Sequence, residues 1–297
     1  MLEDVLVTVF RSAHRRECNE RLLVLTAVGV EAVVAVAPGG EFLLQVAPHD
    51  AGYAARHLLQ YDAENRPLPP LPPPAPVYAH AWVGCVAYGA VLIGVAWVLS
   101  NGLVRLDAFD VGELDAARVQ AGEWWRAWTA LTLHLDAPHL AANLGAGTWF
   151  GYLAARQMGG GTAWFITVTG AALANLLEGL LGPPGHRAVG ASTAVFSALG
   201  AMSAYSWRER FALPQRWARR WGPLVAGVIL LGWTGAAGEG TDVDVVAHVG
   251  GFAVGALLGA TAALPRWQRR LRRVPQWLLG AAALASVAIA WLCALAS

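Results

Sequence analysis

The sequence contains no lysine, only three cysteines and few charged residues. All 21 basic residues are arginine, and charged residues make up 14% of the chain, against about 25% in soluble domains. The net charge of +1 provides no excess of positive charge for nucleic acid, so we expect no nucleic-acid partner. Cys18, Cys85 and Cys293 are far apart, which argues against a disulfide framework and against a cysteine metal site.

Apolar residues make up 56% of the chain and dominate residues 78–297. A helix that spans a bilayer needs roughly 17–25 mostly apolar residues. Segments of about this length predict seven spanning helices, at about 78–100, 138–157, 162–182, 190–207, 222–238, 244–264 and 275–296. The sequence therefore predicts an all-α polytopic membrane domain over 78–297, with the lipid bilayer as its surroundings.

Residues 1–66 lack such segments and predict a small cytosolic α+β domain. The apolar runs 30–37 and 42–47 are joined by Pro38-Gly39-Gly40-Glu41, which is a hairpin signal. A strand at 5–10 and helices at 13–28 and 49–61 complete a βαββα order. Two interpretations remain open, a domain that binds a cytosolic partner and a passive folded appendage.

A proline-rich linker is predicted at 67–77, between this domain and the membrane domain. Proline-rich segments favour the extended polyproline II helix, which rises about 3.1 Å per residue, so the linker would span roughly 30 Å.

The distribution of arginine predicts the orientation of the chain. Arginines cluster in the loops 208–220 and 265–274, whereas the loop 239–244 carries acidic residues and no arginine. Because cytoplasmic loops are enriched in arginine, we expect the N-terminus inside, the C-terminus outside and a location in the plasma (inner) membrane.

This orientation places polar side chains at one depth. The predicted helices 138–157, 190–207 and 244–264 all begin at the outer face, and each has polar residues in its first turns: His139, Asn143, Ser192 and His248. Polar groups within a membrane are costly and usually mark a functional site. These residue types suit acyl transfer, since a serine nucleophile needs a base within hydrogen-bond reach.

Each of these residues also has a structural interpretation. Ser192 follows a Gly-x pair at a helix start, where N–H groups would stabilise an oxyanion, but such a serine is also a common helix cap or packing residue. His248 would serve as the base or as a structural histidine. Gly251, Gly255 and Gly259 form a stripe that would allow close packing against the helix of Ser192.

His139 and Asn143 are spaced i, i+4 and therefore share a helix face. Together with the Ser192 N–H group they would surround a developing oxyanion, and His134 belongs to the same polar cluster. The spacing of His134 and His139 is not that of helical metal ligands, so we expect no metal and no cofactor.

Taken in order, four motifs resemble the signature of the rhomboid intramembrane proteases over about residues 78–264. They are Glu123-Trp124-Trp125-Arg126-Ala127-Trp128-Thr129, His134-x4-His139-x3-Asn143, Gly190-x-Ser192, and Ala247-His248-x2-Gly251-x3-Gly255. The resemblance implies a six-helix core plus a seventh C-terminal helix, a Ser192–His248 dyad, and oxyanion stabilisation by His139 and Asn143. It also implies supporting roles for Gly190, Phe196, Gly251, Gly255, Trp125 and Arg126.

The chain departs from the family pattern beside the proposed nucleophile. Thr193 replaces the usual second glycine, and Phe196 keeps the aromatic ring that stacks on the catalytic histidine but lacks its hydroxyl. We expect a serine endopeptidase that cleaves transmembrane protein substrates near the outer face. The alternatives are a catalytically inactive client-binding relative and, third, a transporter or channel. Asp242, Asp244 and Glu178 are interpreted as non-catalytic.

Overall fold

The computed structural model describes residues 5–65, 77–103, 107–211, 217–235 and 245–297. The chain divides into two compact units, Met1–Pro74 and Ala75–Ser297. Apart from Val77, the predicted proline-rich linker lies outside the described residues, as does the acidic loop 239–244 with Asp242 and Asp244.

The first unit contains a three-stranded antiparallel sheet and two helices. Its elements are β1 (Val7–Ser12), α1 (Arg15–Ala27), β2 (Ala32–Val36), β3 (Phe42–Val46) and α2 (Ala51–Glu64). Strand β3 lies between β1 and β2, and Gly40 (φ +85°) makes the turn of the predicted β2–β3 hairpin. Leu25, Leu44 and Leu58 are buried in the core, so this unit is a small sheet with its own apolar centre.

The second unit is almost entirely helical. It contains α3 (Trp82–Ser100), α4 (Ala108–Gly112), β4 (Leu114–Asp115), α5 (Ala116–Gln120), α6 (Arg126–Thr129), α7 (Ala137–Met158), α8 (Gly160–Leu181), β5 (Arg187–Ala188), α9 (Ser192–Phe211), α10 (Trp217–Gly235), α11 (Val245–Ala262), α12 (Pro265–Arg273) and α13 (Gln276–Ala296). Within the described residues, α3, α8, α11 and α13 are long and apolar enough to cross a membrane. The fold is therefore that of a helical membrane protein, while seven spanning helices remain a prediction.

The end of α9, the start of α10 and one loop differ from the sequence-based expectation. Helix α10 begins at Trp217, five residues before the predicted start at 222. Helix α9 continues past residue 207 to Phe211, because Arg208-Glu209-Arg210 are good helix formers although they are not apolar. The prediction of a loop at 265–274 is wrong, because helix α12 occupies residues 265–273. Pro265 at the first helical position and the following arginines favour a helix there.

Helix α11 packs very closely along α9. A Cβ on Gly251 would lie 2.5 Å from the Thr193 carbonyl oxygen, and a Cβ on Gly255 would overlap the Ser197 backbone. Only glycine permits this approach, as the glycine stripe indicated. The contact brings the beginnings of the two helices together.

The bundle has two chemically different ends. At the loop end, where α7, α9 and α11 begin, β4 pairs with β5, and Gln120 Nε2 donates to the Gly179 carbonyl at 3.1 Å. At the arginine end, α7 turns into α8, and α12 connects α11 to α13. There Gln276 Oε1 accepts a hydrogen bond from the Thr162 N–H at 3.0 Å.

Candidate active site

The segment before α9 is held at the loop end by glycine geometry and a backbone hydrogen bond. Gly190 has a φ of +128°, which disfavours other residues, and its N–H donates to the Ala130 carbonyl at 2.9 Å. Ser192 is half-buried at the first position of the helix. The first helical bond runs from the Val195 N–H to Ala191, so the Ser192 N–H has no acceptor within the helix.

His139 and Asn143 lie beside this turn. A Cβ on Gly190 would be 2.8 Å from both Cε1 and Nε2 of His139, and 3.7 Å from Nδ2 of Asn143. The Asp136 carboxylate caps α7 by accepting the His139 N–H at 2.7 Å. The i, i+4 spacing predicted that these two side chains lie on the same face of the helix. Both lie next to Gly190.

The Asn143 side chain is a hydrogen-bond donor in a buried position. Its residue is 6% exposed, and within the described part of the chain its Nδ2 atom has no acceptor. The Tyr88 hydroxyl donates to the Asn143 carbonyl at 2.8 Å, which ties α3 to α7 at this level. No sequence motif pointed to Tyr88, because it is one aromatic residue in an apolar helix.

His134 joins the same cluster from the loop before α7. Its Nε2 accepts a long hydrogen bond of 3.4 Å from the Ala191 N–H, and its ring centroid is 5.0 Å from that of His139. Burial, and then the nearby His139, lower the pKa of His134 to about 4. The imidazole is therefore neutral near pH 7, as an acceptor at Nε2 must be.

His248 lies against the first turns of α9. It is 7% exposed, and its ring centroid is 4.4 Å from that of Phe196, at an interplanar angle of 38°. Phe196 follows Ser192 by four residues, so the two lie on one face of α9. The imidazole thus lies on the Ser192 face of the helix, near the Gly251 contact.

Thr193 is directed towards α11. It is 3% exposed, and its Cγ2 atom is 3.1 Å from the position that a Cβ on Gly251 would occupy. The branched side chain therefore fills space between two helices, whereas His139 and Asn143 lie beside Gly190.

Arg126 connects parts of the segment between α3 and α7, of which residues 107–136 are described and which is called the first loop here. It is 1% exposed, its Nε donates to the Glu123 carboxylate at 2.6 Å, and its other nitrogens donate to the carbonyls of Glu113 and Asp110 at 2.9 and 2.7 Å. Trp125 lies immediately before α6, at its N-cap position. These contacts hold the segment that leads to His134.

A cavity of about 290 Å³ lies between α8, α11 and the loop after α8. Glu178 lines it and is 3.2 Å from His186 Nε2, a pairing that the sequence did not reveal. Among the described residues, no group of three or more His, Cys, Asp or Glu side chains could hold a metal ion.

Comparisons with known proteins agree with the motifs. The rhomboid domain family matches residues 121–265. The chain is 26% identical over 155 residues to rhomboid protease GluP of Bacillus subtilis (strain 168), covering 52% of this chain and 29% of that protein. It is 28% identical over 173 residues to rhomboid-like protease 2 of Toxoplasma gondii, covering 57% and 60%.

A plant protein is similarly related. RHOMBOID-like protein 1 of Arabidopsis thaliana is 30% identical over 150 residues, which are 50% of this chain and 37% of that protein. The chain spans less than two thirds of the length of each of these curated relatives.

Proposed function

Because the chain belongs to the rhomboid family, we propose that it is an intramembrane serine endopeptidase with Ser192 as nucleophile and His248 as base. Its substrates would be transmembrane proteins, cleaved near the outer face of the bilayer. The observation that carries the proposal is the position of His139 and Asn143 beside Gly190, at the turn that precedes Ser192, together with His248 on the Phe196 ring.

The chemistry proceeds in two acyl-transfer steps. Ser192 Oγ attacks the scissile carbonyl carbon and gives its proton to His248. The C–N bond then breaks, and His248 returns the proton to the leaving amine. Water attacks the remaining ester with His248 again as base, which releases the new carboxylate and restores Ser192.

The oxyanion would be stabilised by three donors: the Ser192 N–H, the Asn143 amide and His139. Fixed donors in a water-poor site stabilise developing charge strongly, and loss of one typically costs about 100- to 1,000-fold in rate. The substrate segment must unwind locally, because the carbonyl groups of an intact helix are hydrogen-bonded and shielded.

The test is cleavage of a model transmembrane substrate by the full chain in liposomes. We expect Ser192→Ala and His248→Ala to lose at least about 1,000-fold in rate. The matched control is Ser286→Ala, since among the described residues that hydroxyl donates to the Ala283 carbonyl of its own helix, α13. Cleavage by Ser192→Ala at the wild-type rate would refute the proposal.

A non-catalytic protein that binds membrane clients is the second candidate, and Thr193 in place of the family's glycine favours it. The contact of Thr193 with Gly251 supports the catalytic candidate, because this side chain packs against α11. A fluorophosphonate probe separates the two. Labelling of wild type but not of Ser192→Ala supports the protease, and equal absence of labelling in wild type and Thr193→Gly supports client binding.

For the location, we propose the plasma (inner) membrane, with the N-terminal unit cytosolic and the C-terminus external. The uneven distribution of arginine between the two ends of the bundle supports this orientation.

A further inference from the structure

Helix α12 concentrates positive charge at the arginine end. It has nine residues and no acidic side chain, and five of the nine are arginine: Arg266, Arg269, Arg270, Arg272 and Arg273. All five are exposed. Within the described residues, none of the five forms a salt bridge with a carboxylate.

One face of α12 is attached to the bundle. Gln268 Nε2 donates to the Tyr205 hydroxyl at 2.8 Å and to the Glu209 carboxylate at 2.9 Å. Leu271, one turn later, packs against the buried cluster that includes Tyr205. These contacts fix the rotation of α12 about its axis.

The opposite face carries an arginine stripe. Arg266, Arg270 and Arg273 are spaced i, i+4 and i+7, so they point in nearly one direction, about half a turn away from Gln268 and Leu271. The stripe is therefore held facing away from Tyr205 and Glu209, and no carboxylate among the described residues forms a salt bridge with it.

The connections of α12 place this stripe at a membrane surface. Helix α12 joins α11 to α13, both long and apolar enough to cross a bilayer, through short connections on each side. Trp267 is 37% exposed, and the Arg270 guanidinium lies 5.3 Å from the centre of its ring. Tryptophan and arginine together are typical of helices that lie at the headgroup level.

We propose that the arginine stripe of α12 binds the phosphate groups of anionic phospholipids in the adjacent leaflet. Guanidinium groups fit phosphate oxygens in a bidentate geometry. They are also less strongly hydrated than ammonium groups, so their desolvation costs less free energy. A lipid headgroup suits the stripe better than an acidic peptide, because a bilayer presents phosphates at the depth at which two spanning helices end. This inference is independent of the proposed protease activity.

The experiment measures lipid binding to the intact protein in neutral detergent by native mass spectrometry. Phosphatidylglycerol is compared with phosphatidylcholine for wild type and for the triple variant Arg266→Gln, Arg270→Gln, Arg273→Gln. The matched control removes three exposed arginines from the N-terminal unit: Arg11→Gln, Arg15→Gln, Arg16→Gln. Thermal unfolding confirms that each variant folds.

We expect the stripe variant to lose at least about tenfold in affinity for phosphatidylglycerol, since it removes three of the positive charges that attract an anionic lipid surface. Phosphatidylcholine binding and the control variant should be unchanged. Equal phosphatidylglycerol affinities of wild type and stripe variant would overturn the proposal. A test with inorganic phosphate alone would also overturn it. If phosphate raises the Tm of wild type above that of the stripe variant by as much as the lipid does, the site binds a soluble anion and not a lipid.

Discussion

Asn143 is a buried amide whose donor group has no acceptor in the described part of the chain. An unsatisfied buried donor costs about 1–3 kcal/mol, and folded proteins usually avoid it. Asn175, by contrast, is also buried, but its Nδ2 donates to the Ala127 carbonyl at 3.1 Å. The two asparagines therefore differ in whether the amide already has an acceptor within the described residues, and under the proposed function the Asn143 amide would donate to the oxyanion.

This contrast gives a paired prediction. Asn143→Leu should lower kcat for cleavage by about 100-fold or more and leave Tm unchanged or raised, because it removes an oxyanion donor and an unsatisfied group together. Asn175→Leu should lower Tm, since it leaves the Ala127 carbonyl without its donor. The measurements are thermal unfolding and cleavage kinetics. A large loss of Tm in Asn143→Leu would show that this amide is structural.

His134 predicts a pH dependence. Its pKa falls from an ordinary value of 6.5 to about 4 on folding, so the unfolded chain binds more protons between these values. The stability contributed by neutral His134 is present above pH 6.5 and is lost as the pH falls through about 4. Below that range, protonation also removes the acceptor for the Ala191 N–H.

We therefore expect the Tm of wild type to fall more steeply between pH 6.5 and pH 4 than that of His134→Gln. Glutamine keeps an acceptor for the Ala191 N–H but does not titrate. His14→Gln, an exposed position before α1, is the control and should follow wild type. If the plots of Tm against pH for wild type and His134→Gln run parallel, the lowered pKa of His134 is contradicted.

Among the elements, α13 supports the first loop from the side. Trp291 Nε1 donates to the Thr132 hydroxyl at 3.0 Å, and Thr132 in turn donates to the Thr129 carbonyl at 2.8 Å. His134 lies two residues after Thr132. Its Nε2 accepts a hydrogen bond from the N–H of Ala191, the residue before Ser192. Helix α13, which lies outside the matched domain at 121–265, thus contacts the segment that leads to the candidate site.

Trp291→Phe should lower Tm by a few degrees and the rate of cleavage by about two- to tenfold. The substitution keeps an aromatic ring but loses one hydrogen bond, worth about 1 kcal/mol. Trp277→Phe on the same helix is the matched control, because Trp277 is 72% exposed. If Trp291→Phe and Trp277→Phe cleave substrate at the same rate, the hydrogen bond from Trp291 on α13 does not stabilise the candidate site.

The elements that could be predicted from the sequence are those set by local pattern. Apolar length located the long helices, and the spacing of Gly251 and Gly255 indicated the close contact with α9. The short elements of the first loop were not predictable, because Arg126 is held by carbonyls from distant positions along the chain. The His134–Ala191 bond joins residues 57 positions apart, a separation that no local pattern encodes.

At the scale of the whole molecule, the two ends of the bundle have opposite net charge. Described arginines at the arginine end are Arg156, Arg208, Arg210, Arg219, Arg220 and the five of α12, and the described acidic residue there is Glu209. At the loop end, the described acidic residues, which are Asp107, Asp110, Glu113, Asp115, Glu123, Asp136 and Glu178, outnumber the described arginines, which are Arg118, Arg126 and Arg187. Such asymmetry favours the arginine end in the cytoplasm.

The orientation is testable by cysteine labelling in a background of Cys18→Ser, Cys85→Ala and Cys293→Ala. Leu135→Cys reports on the loop end, where Leu135 is 72% exposed, and Arg269→Cys reports on the exposed surface of α12. A maleimide that cannot cross membranes should label Leu135→Cys in intact cells, but Arg269→Cys only after permeabilisation. The reverse pattern would place the candidate site in the cytoplasm and the arginine stripe of α12 against the outer leaflet. Because the helix ends that carry Ser192 and His248 share the loop end with Leu135, this one label decides which side of the membrane a substrate must be cleaved on.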